Sequence, residues 1–267
     1  MIKLIKAVLE KISPKTVAKP IQTMWSKPYL SWMDAKNKSI GYQADNIFLK
    51  VKESTLAVKE GRYPYERDSV LFDHIEYAWP LLSILQKIAI ENENSLTIVD
   101  FGGSLGSTYF QNRNWLSGIK IKWIVIEQEQ FVQSGKKEFS DEHLIFESSI
   151  QHALAHRPNA VLFSSVLQYL EHPKEVIDQV INEQFKYILI DRTSFGKNIE
   201  KDFFTVQTVP SEIYAASYPC RFFEERKFLG QFASYYSLEA EFPSFCDPSF
   251  SHNGITYYWK GFFLRRK

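Results

Sequence analysis

The sequence predicts an α/β fold, a mostly parallel sheet covered by helices on both faces and preceded by an N-terminal helical extension. Three observations predict it. Short apolar, β-rich runs recur after residue 95. Segments long enough for helices separate them, as in strand–helix–strand units with right-handed crossovers. The first run stops at a cluster of glycines. With 267 residues and 45% hydrophobic content, the chain can bury a sizeable core. Lys+Arg is 32 and Asp+Glu is 31, which excludes a globally basic nucleic-acid coat and a polyacidic tail. Two cysteines are too few for a disulfide framework or a cysteine-rich zinc site.

The elements follow in order. Leu4, Ile5, Val8, Leu9 and Ile12 repeat at helical spacing, with Lys3, Lys6 and Lys11 on the other side. Such a helix docks on the domain or rests on an anionic membrane surface. No apolar run of about 18 residues occurs, so no membrane-spanning helix is expected. Lysines interrupt the N-terminus too often for the apolar core of a signal peptide, so a cytoplasmic location is expected. Pro14, Pro20 and Pro28 break up residues 13–30. A helix is predicted over 43–60, ending at Gly61. A second is predicted over 66–90, with Val70, Leu71, Ile75, Ala78, Leu81, Leu82, Leu85 and Ile88 on its buried face and a kink at Pro80. Glu66 and Asp68 would then favour its N-terminal dipole. Residues 1–92 thus form the extension and 93–267 the main domain.

Five strands are predicted: Ser95–Asp100, Lys120–Glu127, His143–Phe146, Ala160–Ser164 and Tyr187–Asp191. Helices fit between them at Ser107–Leu116, Glu129–Phe139 and Pro173–Asn182. Tyr235–Phe242 and Gly254–Arg265 read as a terminal strand pair. Residues 197–232 read as a substrate-binding insertion. Its aromatic segment Gln207–Phe223, which includes Tyr214, lines a substrate pocket or packs a sheet edge.

Three of the chain's 11 glycines, Gly102, Gly103 and Gly106, fall within five residues. They follow a strand and precede a helix, where the turn needs φ values that glycine adopts freely and a ligand can approach the backbone. The next helix then presents free N–H groups. Glu127 ends the second strand 21 residues after Gly106, near the spacing of about 20 for an acid that binds a ribose. The set points to a nucleotide or nucleoside, the alternative being a purely structural turn. Asp100 opens the loop. It would repel a nearby pyrophosphate and attract an ammonium or sulfonium.

Asp100-x-Gly102-Gly103-Ser104-x-Gly106 resembles motif I of the class I S-adenosylmethionine-dependent methyltransferases. Gly102 and Gly106 match the first and third glycines, Ser104 replaces the second, and Gly103 is extra. AVLFSSVLQYL (160–170), followed by His172-Pro173, resembles the family's fourth strand and its continuation. The resemblance implies a Rossmann-like, doubly wound, seven-stranded, mostly parallel sheet and S-adenosyl-L-methionine as cofactor. It places Asp100 near the methionine amino group and Gly102, Gly103, Ser104 and Gly106 under the methionine and ribose. Glu127 would hold the ribose, Ser148 and Ser149 would lie near adenine, and Ser164 and Ser165 near the sulfonium. Where the family often has Asp before the fourth strand, this chain has Asn159.

The methyl would pass to a small polar acceptor, a hydroxyl or amide. His172, Asp191 and Tyr169 are the candidates for catalytic roles, and Arg67, Arg192 and Tyr214 for substrate binding. VDFGGSLGSTYFQNR, with YERDSV upstream, also resembles a narrower group of bacterial methyltransferase-like proteins associated with surface-polysaccharide (capsule) synthesis. That implies a sugar or polysaccharide-precursor acceptor. His152 and His156 have metal-capable spacing but lack a third ligand, so no metal is expected. A non-catalytic cofactor-binding module is a second reading. An NAD-dependent dehydrogenase is a third, without a Tyr-x-x-x-Lys pair to support it. The near-zero net charge disfavours nucleic acid as acceptor, and the oligomeric state is not legible.

Overall fold

A computed structural model describes residues 24–40, 44–211, 213, 215–252 and 254–267, with side chains from 47 onward in the second segment. The amphipathic segment at residues 3–12 and Tyr214 lie outside the described residues. Trp32–Lys38 forms α1, capped by the Ser31 hydroxyl accepting from the Asp34 N–H. Ala44–Lys59 forms α2, as predicted. It closes at Gly61, whose φ of +75° lets the Gly61 and Arg62 N–H groups turn back onto the Val58 and Ala57 carbonyls.

The expected helix over 66–90 is corrected. Tyr65–Arg67 (β1) and Val70–Phe72 (β2) pair as an antiparallel hairpin. Its two turn residues, Asp68 and Ser69, both have positive φ, 52° and 68°. That turn matches strand twist, and it opposes helix continuation. The helix is shorter, Trp79–Glu91 (α3), and Pro80 starts it instead of kinking it. In a first turn the missing proline N–H costs nothing. Leu81, Leu82, Leu85 and Ile88 keep the predicted buried face.

The remaining elements run β3 (Ser95–Phe101), α4 (Ser107–Asn112), β4 (Lys120–Ile126), α5 (Glu129–Ser134), β5 (Leu144–Glu147), α6 (Ile150–Ala153), β6 (Ala160–Ser164), α7 (Pro173–Asn182) and β7 (Tyr187–Lys197). Then come β8 (Phe203–Thr208), β9 (Ser217–Phe222), α8 (Glu225–Gly230), β10 (Tyr236–Pro243), β11 (Phe250–His252) and β12 (Ile255–Arg266). The main sheet runs β10-β12-β7-β6-β3-β4-β5, with β11 paired to β12 as an eighth strand. β3 to β7 pair in parallel, whereas β12 is antiparallel to both β7 and β10. This is the mixed, mostly parallel sheet the sequence predicts, with one short strand more.

Side-chain alternation assigns the two faces. Ile98, Val125, Leu162 and Leu189 point to one face, where α3, Tyr109, Phe110 and Phe139 cover them. Val99, Ile124, Val161 and Ile190 point to the other, beneath α6, α7 and α8. α3 therefore shares one core with the sheet. Within 197–232, β8 and β9 pair antiparallel as a separate two-stranded sheet. It carries Trp25 and α1 against Phe204, Val206 and Phe222.

Candidate functional site

From β3 the chain steps to β4 and β5 on one side, then returns to β6 and β7 on the other. At such a reversal no crossover loop covers the carboxyl ends of the two central strands, and a crevice opens there. A cavity of about 700 Å³ occupies it. Its floor is the ends of β3, β4, β6 and β7. Its roof is the β1–β2 hairpin, residues 245–248 and the β8–β9 sheet.

The glycine loop forms one wall. The Gly102 N–H binds the Ile126 carbonyl at 2.8 Å, and the Gly106 N–H closes onto the Gly103 carbonyl at 3.0 Å. Gly103 sits directly on Asp100, since an added Cβ would stand 2.5 Å from the carboxyl carbon. Ser104, in place of a glycine, still takes the left-handed conformation, with φ of 57°. Gly106 caps α4 with φ of 95° behind the loop, away from the cavity lining.

Six carboxylates line this space, and burial raises the pKa of four of them, Glu66, Asp100, Glu127 and Asp191. Asp100 is 1% exposed and accepts from the Trp123 indole at 2.9 Å. Desolvation pushes it to about 7, against the indole bond, with Glu127 and Asp191 adding repulsion. Glu127 is raised by desolvation, while its two oxygens accept the Ser104 N–H at 3.3 Å and the Gln128 N–H at 2.9 Å. Asp191 is pushed to about 6 by burial, opposed by Arg192 and by the Ser164 hydroxyl, which donates at 3.0 Å. Glu66, on the hairpin, is pushed to about 7 by burial.

Asp100, Gly102, Gly103, Ser104, Glu127, Ser164, Ser165, Tyr169, Asp191, Arg67 and Arg192 all line the cavity. The two arginines and Tyr169 are engaged as well. Arg192 spans two carboxylates, with Nε on Asp247 and an Nη on Asp68, both at 2.9 Å. Arg67 pairs with Glu76 and stacks on Phe72 at 4.8 Å. The Tyr169 hydroxyl donates to Gln207 at 2.8 Å, and burial holds its pKa well above the ordinary range.

Besides Gly106, three predicted residues fall elsewhere. His172 is exposed at the start of α7, because the short turn Leu167–Tyr169 brings Tyr169 into the cavity and leaves His172 outside. The Ser148 hydroxyl pairs with His152 at 3.0 Å, and Ser149 caps α6 through the His152 N–H. Neither serine lines the cavity. His156 pairs with Glu147, and among the described residues no group of three or more His, Cys, Asp or Glu is placed to hold a metal. Asn159 precedes β6 at its amino end, the edge opposite the cavity.

Sequence reasoning missed Glu66, Ser69, Gln111 and Asp247. Only the hairpin turn could have exposed the first two, and the helical reading of 66–90 hid it. Backbone strain also marks the site. Of ten non-glycine residues with positive φ among those described, five line this cavity: Asp68, Ser69, Ser104, Ser165 and Arg192. Such conformations persist where surrounding structure enforces them, and they cluster at functional sites.

No family model and no curated protein matches the chain. Solved structures do. One is a Burkholderia thailandensis 1,6-didemethyltoxoflavin-N1-methyltransferase with bound 1,6-didemethyltoxoflavin and S-adenosylhomocysteine, at 11% identity over 91% of this chain and 100% of that one, with a TM-score of 0.42. Another is a Clostridium acetobutylicum S-adenosylmethionine-dependent methyltransferase, at 10% identity over 80% and 97%, with a TM-score of 0.45. A third is the N-terminal domain of EvdMO1 in the presence of S-adenosylhomocysteine and D-fucose, at 12% identity over 85% and 98%, with a TM-score of 0.44. Similarity at this level assigns neither activity nor substrate. Fold and site together define a doubly wound α/β protein with an acid-lined cavity at its topological switch point.

Proposed function

We propose that the chain is an S-adenosyl-L-methionine-dependent methyltransferase acting on a small polar acceptor, a hydroxyl or amide of a sugar or polysaccharide precursor. One observation carries the reading: Glu66, Asp100, Glu127 and Asp191 surround the glycine loop with desolvated carboxylates. Such a set of acceptors favours a cationic ligand and repels a pyrophosphate, which disfavours the dehydrogenase reading. Glu127 fits a ribose, because each of its oxygens accepts one N–H and retains a further lone pair for a hydroxyl.

The cofactor supplies a methyl group already activated on a sulfonium. The protein's part is positioning and electrostatics. Glu127 orients the ribose, and Asp100 sets the negative field beneath the loop. Asp191, held near pH 6 beside Ser164, is ionised at neutral pH and can take the proton from a hydroxyl acceptor. Trp25, Trp259 and Gln207 also line the cavity and suit a sugar that needs an apolar wall and a polar contact. The sugar class and the capsule pathway rest on the sequence resemblance, and the cytoplasmic setting on the lysine-interrupted N-terminal sequence.

Calorimetric titration with S-adenosylmethionine and S-adenosylhomocysteine tests the reading. Binding is expected below millimolar concentration, and folded protein that binds neither refutes it. Release of S-adenosylhomocysteine with sugar acceptors then separates an enzyme from a binding module. Quenching by NADH would point instead to a dehydrogenase.

A further inference from the structure

Glu66 has no part in the motif at the glycine loop, yet its carboxylate is 4% exposed and lines the cavity. The Ser69 N–H donates to Oε2 at 3.2 Å, and the Ser107 hydroxyl stands beside the carboxyl. Oε1 is buried without a partner, and so is the Ser69 hydroxyl oxygen, which lines the same cavity. Buried polar atoms are rarely left unpaired, so these two, both on cavity-lining residues of one hairpin, point to a donor supplied from outside the chain.

Asp100 is poorly placed for that donor. It is 1% exposed, and Gly103 lies against its whole carboxyl group, an added Cβ standing 2.5 Å from the carbon and 2.6 and 3.0 Å from the two oxygens, so a ligand has little room to reach it. Glu127 and Glu66 flank one loop, the first bound by the Ser104 N–H and the second beside the Ser107 hydroxyl. A ligand with its ribose on Glu127 that crosses the loop presents its other end to the hairpin.

We infer that Glu66 and Ser69 form the subsite for the α-ammonium of the cofactor's amino-acid end, a role the sequence assigns to Asp100. The inference rests on the cofactor reading above. An ammonium has three donors, and Glu66 Oε1 and the Ser69 hydroxyl offer two acceptors with the charge it needs. Burial raises the Glu66 pKa to about 7, and a bound cation would lower it again, which couples binding to proton release.

Three probes separate the parts of the ligand: S-adenosylhomocysteine, its deamino analogue, which keeps the carboxylate, and 5′-methylthioadenosine, which lacks the whole amino-acid end. Dissociation constants are measured for the natural protein, Glu66→Gln and Ser69→Ala, with thermal unfolding as a check on folding. Glu66→Gln should weaken S-adenosylhomocysteine by about 10- to 100-fold and change the other two by less than about twofold. Ser69→Ala should act in the same sense more weakly, and it stands as the test if Glu66→Gln does not fold. Unchanged S-adenosylhomocysteine binding overturns the inference. So does equal weakening of all three probes, which marks a collapsed cavity. If the natural protein binds methylthioadenosine as tightly as S-adenosylhomocysteine, this subsite fails while the cofactor reading stands. If it binds no probe, the cofactor reading itself fails.

Discussion

Glu127 does two jobs at once, because it fastens the loop through Ser104 and faces the cavity. Glu127→Ala should therefore weaken S-adenosylhomocysteine by about 1–3 kcal/mol in calorimetric titration, as expected for a lost carboxylate–hydroxyl pair. Gly103 tests a different constraint. No positive φ marks it, so its need for glycine comes from its contact with the Asp100 carboxylate. Gly103→Ala should cost about 1–3 kcal/mol of unfolding free energy by overpacking. In an Asp100→Ser background the cost should shrink, and an undiminished cost in that double-mutant cycle would rule out the contact as the cause. Both residues were legible in the sequence, because a glycine-rich turn and an acid at a strand end are local signals. His172 was not. Whether a side chain three residues beyond Tyr169 reaches a cavity depends on the pitch of one short turn.

Among the elements, the β1–β2 hairpin is the least local. It lies over the crevice and is tied down by Arg192, which also grips Asp247 after β10. The Asp68–Arg192 pair is half open to solvent, so Asp68→Ala should cost only about 1 kcal/mol of stability. Its effect on the hairpin should be larger. Amide exchange across residues 65–72 should quicken relative to β3, and unchanged protection there would mean that Arg192 is not what holds the hairpin. The helical periodicity of 70–88 was real for α3 and misleading before it. The turn at Asp68–Ser69 lacks the glycine or asparagine that usually announces such geometry, so nothing local signalled it. Pro80 was compatible with a kink or a start, and the preceding hairpin decided for a start.

Across the whole molecule, the buried carboxylates make stability depend on pH. Glu66, Asp100 and Asp191 have folded values of about 7, 7 and 6, above the roughly 4 of an unfolded chain. Between those limits the folded state binds more protons, so stability is greatest at the acid end and falls as pH rises through 6 to 7. Glu91, Glu138 and Asp247, whose values are lowered, act in the opposite sense, but only below about pH 4. The melting midpoint of the ligand-free protein should therefore drop by several degrees between pH 5 and pH 8, at about 2–4 °C per kcal/mol. S-adenosylhomocysteine, whose ammonium offsets the buried negative charge, should raise the midpoint more at pH 8 than at pH 5. A flat or rising profile without ligand would mean that these groups are not buried as charges. By itself the sequence determined the alternation of strands and helices, the glycine loop and the acid that ends β4. Each of these is written in residues that are neighbours along the chain. Tertiary structure alone decided which carboxylates are desolvated, and that both predicted arginines already have partners. Burial is set by what arrives through space: Arg192 meets Asp68 across 124 residues and Asp247 across 55, separations that no local pattern encodes.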